Sequence, residues 1–356
     1  MTPVTIERAA PRTGSAGTSP VFRATSPEDE APLIAFLARA FAMDTTAPFL
    51  DPPLMRWKFW QPRDDFHEPR SLVLERDGRI QAHVGLWPAV IERPEGRFTG
   101  IQMIDWASDP AAPGAGASVV RRLLQQYDFI YSIGGSEMTR RVLPALGFQK
   151  IADAWIAARP LRPIARRVPG ARLGWKSYAR IARNLWWWLS PASTASSGWT
   201  ARPVVPGSED HERWMSNVAT IPRSAAFFNY LSRCPAAAVR VYAMGRGGEH
   251  QGHVALSAAH GQARVAGVWL AKPSAENLAA AFGLAQHIAR TDPSVAEVTA
   301  MGSTTGSEAA AIAAGLRIRE RRPVYMLARK ALVLRAPAEF QIADDDACFR
   351  YETPFT

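Results

Sequence analysis

The sequence has 356 residues, of which 47% are hydrophobic and 21% are charged, so it is typical of a folded protein and not of a disordered one. Its length predicts two domains with connecting segments. The two cysteines, Cys234 and Cys348, lie far apart and form no CxxC pair, which excludes a disulfide framework and a cysteine-rich metal site. The net charge of +10 favours an anionic partner: a phosphorylated cofactor, an acidic polymer, a nucleic acid or a lipid surface.

The N-terminal residues 1–20 are rich in Pro, Gly, Ser and Thr and predict a flexible tail. They lack the apolar stretch of a signal peptide. No apolar run approaches the roughly 20 residues that a membrane-spanning helix needs. The sequence therefore predicts a cytoplasmic protein, either soluble or peripheral to the inner face of the membrane.

An internal repeat organises the rest of the chain. The hexapeptide QAHVGL at 81–86 recurs as QGHVAL at 251–256, and each copy ends a predicted β-hairpin. The first hairpin covers residues 72–86 and turns at Asp77-Gly78; the second covers residues 239–256 and turns within 245–248. Asp-Gly and Gly-Gly between alternating apolar residues are strong hairpin signals.

Three further landmarks recur in the same order. A short strand with a Ser-capped acidic helix start occurs at 22–29 and at 201–210. An apolar strand breaks at Gly-Ser within 130–136 and 299–303, and the following helices end at Gly147 and Gly315. Four matches in one order indicate a duplication. We therefore predict α/β domains at 21–160 and 199–335, followed by a C-terminal tail at 336–356.

The segment 161–198 between the domains is basic, rich in tryptophan and free of acidic residues. Its basic residues are Arg162, Arg166, Arg167, Arg172, Lys176, Arg180 and Arg183. Its aromatic residues are Trp175, Tyr178, Trp186, Trp187 and Trp188. Such a segment is typical of a helix on an anionic membrane or polymer surface. It is also compatible with a linker helix whose aromatic side chains pack between the domains.

The first half contains a loop suited to an anion. A strand predicted at 101–107 enters a Pro/Gly/Ala turn and a helix predicted at 117–127. Gly114 and Gly116 leave the backbone bare where the helix begins, and unpaired N–H groups and a positive dipole end are found there. This arrangement suits a pyrophosphate.

The order of elements, the loop PAAPGAG at 110–116 and the LGF ending at 146–148 resemble the superfamily of GCN5-related N-acetyltransferases (GNAT). The resemblance implies two tandem domains, each with a mixed, mostly antiparallel sheet flanked by helices. It also implies acetyl-CoA or another acyl-CoA as co-substrate. The family loop begins with Gln or Arg, where this chain has Ala111. The residues that it assigns to the cofactor are Trp106, Ala107, Ser108, Gly114, Ala115, Gly116, Ala117 and Ser118.

The second half departs from the family pattern. The helix predicted at 275–290 follows a loop without glycine, and Glu276 would repel a phosphate at its start. We therefore expect a degenerate copy that shapes the acceptor cleft. The tyrosine that often protonates the leaving thiolate in this family is also missing: Leu143 and Ala311 stand at its two positions. Because thiols have a pKa of about 8.5, a thiolate can leave without it.

Four residues are candidates for catalysis, each with an alternative structural role. Asp105 lies in an apolar strand, where a carboxylate needs a partner or a function. His83 recurs in the second half, which favours a structural hydrogen bond over a role as base. Glu137 starts a helix, an ordinary place for an acid. Tyr131 could donate a proton from the neighbouring strand, although tyrosine in strands usually serves packing.

Three functions are compatible with these patterns. The leading one is an acyl-CoA-dependent N-acyltransferase acting on an amine of a small molecule or polymer. The second is a tandem-fold aminoacyl transferase that uses charged tRNA, although nucleic acid is disfavoured as a partner. The third is a non-catalytic binding protein. No spacing of residues predicts a metal site, and the acids Asp344, Asp345 and Asp346 are expected to be solvated.

Overall fold

The computed structural model describes residues 19–93, 96–163, 175–189, 196–205, 224–329 and 339–349. Nearly all of the predicted N-terminal tail, and the helix start predicted near 208–210, lie outside these residues. In the described residues no helix is both long enough and apolar enough to cross a membrane.

Within the described ranges, the first half contains six strands and four α-helices. Its elements are β1 (Val21–Ala24), α1 (Glu30–Ala40), α2 (Pro52–Phe59), β2 (Ser71–Arg76), β3 (Arg79–Arg93), β4 (Gly96–Ser108), α3 (Ala115–Gln126), β5 (Phe129–Ile133), α4 (Glu137–Ala145) and β6 (Gln149–Pro160). Helix α5 (Trp175–Leu189) follows in the connecting segment.

The second half has the same order of strands, with one described helix between its first two strands where the first half has two. Its elements are β7 (Trp199–Val204), α6 (Ala225–Ser232), β8 (Ala238–Arg246), β9 (Glu249–Ala259), β10 (Gln262–Leu270), α7 (Ala275–Thr291), β11 (Glu297–Gly302), α8 (Thr305–Ala313) and β12 (Arg317–Ala328). Both predicted hairpins are confirmed. Their turns place Asp77, Gly78, Gly247 and Gly248 at positive φ, the conformation that tight hairpin turns require.

All the described strands join one mixed sheet, in the order β1-β2-β3-β4-β5-β12-β6-β11-β10-β9-β8-β7. The two halves exchange their last strands. Strand β12 pairs with β5, opposing Met326 to Tyr131, and β6 pairs with β11, opposing Trp155 to Gly302. The predicted α/β class, with a mixed, mostly antiparallel sheet flanked by helices, is confirmed. The exchange makes the two units share one sheet, which the repeat alone does not reveal.

Both halves contribute to a shared core between α1, α2 and α6. Trp57 of α2 stacks on Tyr230 of α6, with ring centroids 4.6 Å apart and planes inclined by 10°. The indole of Trp57 donates to the Tyr230 carbonyl at 3.2 Å, and the Tyr230 hydroxyl donates to the Trp57 carbonyl at 2.8 Å. Helices α3 and α4 cover the opposite face of the first half, and α7 and α8 that of the second.

The C-terminal segment, defined here as residues 339–349, lies inside this shared core. Phe340 and Phe349 are buried, and Phe349 packs 4.9 Å from Trp57. The expectation that Asp344, Asp345 and Asp346 are solvated is wrong, because all three are buried. Two of these carboxylates cap short 3₁₀ turns: Asp344 accepts from the Gln341 amide at 2.8 Å and Asp345 from the Asp346 amide at 2.9 Å. For Asp344 and Asp345, hydrogen bonds from nearby backbone amides therefore take the place of hydrogen bonds to water.

Helix α5 corrects a second expectation. Trp175, Tyr178, Trp186 and Trp188 are exposed, so the interpretation that they pack between the domains is wrong for these four side chains. Trp187 differs, because the guanidinium groups of Arg183 and Arg319 stack on its ring.

Candidate active site

Strands β4 and β5 diverge and leave an opening in the first half. They pair in parallel from Gly100 and Phe129 as far as Gln102 and Tyr131, after which β4 continues to Ser108 without β5. We call the space beyond Gln102 and Tyr131 the first fork. Because the backbones of β4 and β5 no longer pair with each other there, an extended ligand can bind between them.

A β-bulge shapes the β4 side of this fork. The pairing of β3 with β4 shifts between Gly85–Ile104 and His83–Ala107, so Asp105 and Trp106 together oppose the single residue between His83 and Gly85. Asp105 has a φ of +48°, in the left-handed region that aspartate tolerates better than most residues. Bulges re-aim side chains at functional sites, and this one turns Asp105 towards α2.

Asp105 is held by two partners. Its carboxylate forms an ion pair with Lys58 of α2, and both side chains are largely buried. Its backbone carbonyl accepts a hydrogen bond from His83 Nδ1 at 3.0 Å. The predicted candidates Asp105 and His83 therefore lie together, with Lys58 as a third member that the sequence analysis missed. The signal for Lys58 was weak, because it is one of two charged residues, with Arg56, among the apolar positions of 54–59.

His83 is a neutral, structural histidine in this arrangement. Because a carbonyl only accepts, Nδ1 carries the proton and Nε2 accepts from the Ser71 hydroxyl at 3.0 Å. Complete burial lowers the pKa of His83 to about 4, in spite of the hydrogen bond to Asp105, which raises it. Both ring nitrogens are thus engaged, and His83 fixes the backbone of the bulge.

The start of α3 lies at the outer end of the fork. Gly114 is the N-cap residue at a φ of +82° and supplies no side-chain cap. A Cβ on Gly116 would lie 3.3 Å from Trp106 Cζ2 and 3.4 Å from Ser108 Oγ, so glycine lets the helix approach β4. The other predicted cofactor residues line the same corner: Ala107 and Ala115 are buried, Ala117 is half-buried and Ser118 is exposed.

Two polar atoms near this corner suit an anionic or amide-bearing ligand. The first amides of α3 have no intrahelical acceptor, as at any helix start. The indole nitrogen of Trp106 is buried and has no hydrogen-bond partner within the described part of the chain. The residues present therefore fit a phosphate at the helix and an amide-rich arm along β4.

Tyr131 and Glu137 occupy different surroundings. Tyr131 is fully buried at the closed end of the fork, and its hydroxyl donates to the Asp344 carbonyl at 2.6 Å. Glu137 is exposed at the start of α4, where it pairs with Arg141 one turn later. Tyr131 thus lies beside the fork, but its hydroxyl proton is already donated to Asp344. Glu137 lies on the surface.

The closed end of the fork contains two residues that sequence analysis missed. The Gln102 side chain donates to the Asp345 carboxyl group, which also accepts from the Asp346 amide. Complete burial, and then the charge of Asp346, raise the pKa of Asp345 well above its ordinary value. No local pattern could have paired Gln102 with Asp345, since 243 residues separate them.

The second half has an equivalent opening, which the C-terminal segment fills. Strands β10 and β11 pair in parallel as far as Val265 and Ala300, and a bulge at Ala266 follows. Beyond it, the Gln341 side chain accepts from the Val268 amide at 2.6 Å and donates to the Val268 carbonyl at 3.2 Å. At the end of β11, the Ser303 hydroxyl accepts from the Phe340 amide at 2.8 Å. We call this filled opening the second fork.

The helix that starts beside the second fork is also closed to anions. Ser274 caps α7 by accepting from the Asn277 amide at 3.1 Å. Glu276 lies in the first turn and pairs with Arg246 at 3.5 Å. The two halves therefore differ in the same two features: α3 is uncapped beside an open fork, whereas α7 is capped beside a filled one. In the described residues, no group of three or more His, Cys, Asp or Glu could hold a metal ion.

Comparison with known proteins supports the fold. No family profile and no curated protein sequence matches the chain. Among solved structures, a GCN5-related N-acetyltransferase from Anabaena variabilis superposes with a TM-score of 0.55 and 12% identity, covering 86% of this chain and 72% of that one. The corresponding protein from Kribbella flavida gives 0.53 and 11%, covering 86% and 70%.

A tandem GNAT protein from the clavulanic acid biosynthesis pathway is similar over nearly its whole length. It gives a TM-score of 0.50 and 13% identity, covering 87% of this chain and 98% of that one. The chain therefore has the fold of tandem GNAT proteins. At this identity the likeness establishes the fold alone.

Proposed function

We propose that this protein is an acyl-CoA-dependent N-acyltransferase with one cofactor site, formed by the first fork and the start of α3. The observation that carries the proposal is the asymmetry between the halves. Only the first half combines an uncapped, glycine-bordered helix start with an open strand edge, among the described residues. Because the chain's own C-terminal segment fills the second fork, we place the cofactor in the first.

The first half offers the groups that such a cofactor needs. The amides at the start of α3 would bind the pyrophosphate, helped by the helix dipole. The backbone of Trp106, Ala107 and Ser108 would pair with the pantetheine amides and polarise the thioester carbonyl. The indole of Trp106 supplies one more donor at the same corner. Bound acyl-CoA supplies the activated thioester.

The reaction is acyl transfer to an amine. The amine nitrogen attacks the thioester carbonyl carbon, a C–N bond forms, the C–S bond breaks and the thiolate of CoA leaves. The amine loses one proton, and we assign Asp105, on the bulge of β4, to accept or orient it. Lys58 and His83 hold Asp105 in its left-handed conformation, so that they act as positioning residues.

A non-catalytic binding protein remains the second candidate, and specific contacts favour it. The Tyr131 proton is donated to Asp344, Asp105 is engaged by Lys58, and leucine replaces the usual acidic tyrosine at position 143. In this alternative the first fork binds an acyl-CoA without transferring the acyl group.

Native mass spectrometry and a transfer assay separate these functions. We expect one acetyl-CoA per chain, and release of free CoA when a panel of polyamines, amino sugars and lysine peptides is added. Acyl-CoA binding without CoA release on any amine would favour the binding protein. Binding of aminoacyl-tRNA instead of acyl-CoA would favour the tRNA-dependent transferase. Failure to bind any acyl-CoA would overturn the proposal.

A further inference from the structure

Helix α5 presents one apolar face to solvent. The face consists of Trp175, Tyr178, Ala179, Ala182, Trp186 and Leu189. At 100° per residue these positions fall within an arc of about 100°, a single stripe of the helix. Trp175 is 75% exposed, Trp186 73%, Leu189 70% and Tyr178 60%. Single exposed apolar residues are common, but a stripe with three large aromatic rings marks an interaction surface.

The side of α5 that carries Asn184 and Trp187 contacts the rest of the protein. Asn184 is buried there and accepts hydrogen bonds from the Arg183 guanidinium at 3.2 and 3.3 Å. Arg183 and Arg319 of β12 stack on Trp187, which anchors the helix to the body. A surface helix of a globular protein normally buries its apolar side. In α5 the stripe of apolar side chains is instead exposed to solvent.

The charge around α5 indicates an anionic partner. Segment 161–198 contains seven basic and no acidic residues, and Arg180 of α5 is exposed. Tryptophan and tyrosine beside arginine are typical of helices that lie at a membrane interface, where rings enter the headgroup region and cations meet lipid phosphates. Fifteen residues of helix span about 22 Å, which is too short to cross a bilayer but suits a helix in its plane.

We propose that α5 is a membrane-docking helix, which lies in the interface of an anionic lipid surface with its apolar face inserted. This role is independent of the acyl-transfer proposal, because none of its residues belongs to the first fork. Pairing of α5 with a second copy of the chain fits less well. It would place two basic segments side by side without compensation, because residues 161–198 contain no acidic residue.

Vesicle co-sedimentation of the full chain tests this proposal. We expect binding to phosphatidylglycerol vesicles, much weaker binding to phosphatidylcholine vesicles, and release by salt, because screening weakens exposed charges. A variant with Trp175→Ser, Trp186→Ser and Leu189→Ser should bind on the order of tenfold more weakly or worse. The matched control carries Met138→Ser and Ile312→Ser, which remove exposed apolar side chains from α4 and α8. It should bind like the wild type.

Three results would overturn the proposal. The first is equal binding to both kinds of vesicle, or no binding. The second is equal loss of binding in the control variant. The third is a concentration-dependent dimer in sedimentation velocity that the α5 variant abolishes while vesicle binding is absent. Because circular dichroism and thermal melting report folding separately, a loss of binding in a folded variant is interpretable.

Discussion

The side-chain amide of Gln341 forms hydrogen bonds with both the N–H and the C=O of Val268, on the stretch of β10 beyond its pairing with β11. A carboxamide presents the same donor and acceptor as a peptide group, so Gln341 closes the second fork as an extra strand residue would. In the first fork, no side chain of the described C-terminal segment makes a comparable bond to Trp106, Ala107 or Ser108. The C-terminal segment thus makes the two copies of the fold differ, because it forms these hydrogen bonds in the second fork and not in the first.

This contact predicts the cofactor stoichiometry. Isothermal titration with CoA should give one site per chain. Gln341→Ala removes both hydrogen bonds and should lower the free energy of unfolding by about 1–3 kcal/mol, measured by denaturant titration. The stoichiometry should stay at one, because α7 remains capped by Ser274. Two CoA molecules bound to the wild type would show that the second fork is accessible.

The start of α3 should be sensitive to negative charge. Ala117→Glu places a carboxylate at the third helical position, where the pyrophosphate would bind, and should weaken CoA binding on the order of tenfold or more. Glutamate at this position favours helix formation, so the fold should be retained. The matched control is Asn277→Glu, the equivalent position of α7. Equal effects of the two changes on CoA affinity would contradict the assignment of the site to α3.

Variants of Asp105 and Lys58 should distinguish an effect on stability from an effect on catalysis. Asp105→Asn leaves Lys58 buried without its partner, so stability should fall by about 3–5 kcal/mol. The double variant Asp105→Asn with Lys58→Met removes both charges and should recover most of this loss. If Asp105 accepts the proton of the amine, turnover of the double variant should remain on the order of 10²–10⁴ below the wild type, with CoA affinity unchanged. Recovery of turnover together with stability would assign Asp105 a structural role.

His83 should make the fold sensitive to acid. The unfolded chain binds a proton near pH 6.5, whereas burial lowers the pKa of His83 in the folded protein to about 4. Its contribution to stability is therefore complete above pH 6.5 and decreases as the pH falls towards 4, by at most about 1.4 kcal/mol per pH unit. His83→Asn should be less stable at pH 7 but should lack this part of the slope. Parallel stability curves for the two proteins would contradict the interpretation.

Asp345 should act in the opposite sense. Its raised pKa means that the folded protein retains a proton that the unfolded chain releases near the ordinary pKa of 3.8. Stability from Asp345 is thus present below that value and lost as the pH rises towards the raised pKa. Asp345→Asn cannot ionise, so its stability relative to the wild type should increase with pH over this window. A constant difference from pH 4 to pH 8, measured by denaturant titration, would refute the prediction.

Local sequence determined much of the fold. The turn at Asp77-Gly78 and its partner at Gly247-Gly248 require positive φ at consecutive residues, which these residue types adopt readily, so both hairpins were predictable. The bare helix start after Gly114 was predictable for the same reason. The repeat of such signals in one order was enough to predict a duplication, and the resemblance to the GNAT superfamily implied the fold that the superpositions show.

Only the tertiary structure decided which contacts complete the candidate site. The ion pair of Asp105 joins residues 47 apart, the bond from Tyr131 to Asp344 spans 213 positions, and the plug at Val268 comes from 73 positions away. The exchange of β6 and β12 and the burial of three consecutive aspartates are likewise absent from any local pattern. Periodicity and turn chemistry act over a few residues, whereas these features depend on which distant surfaces remain to be covered once the sheet has formed.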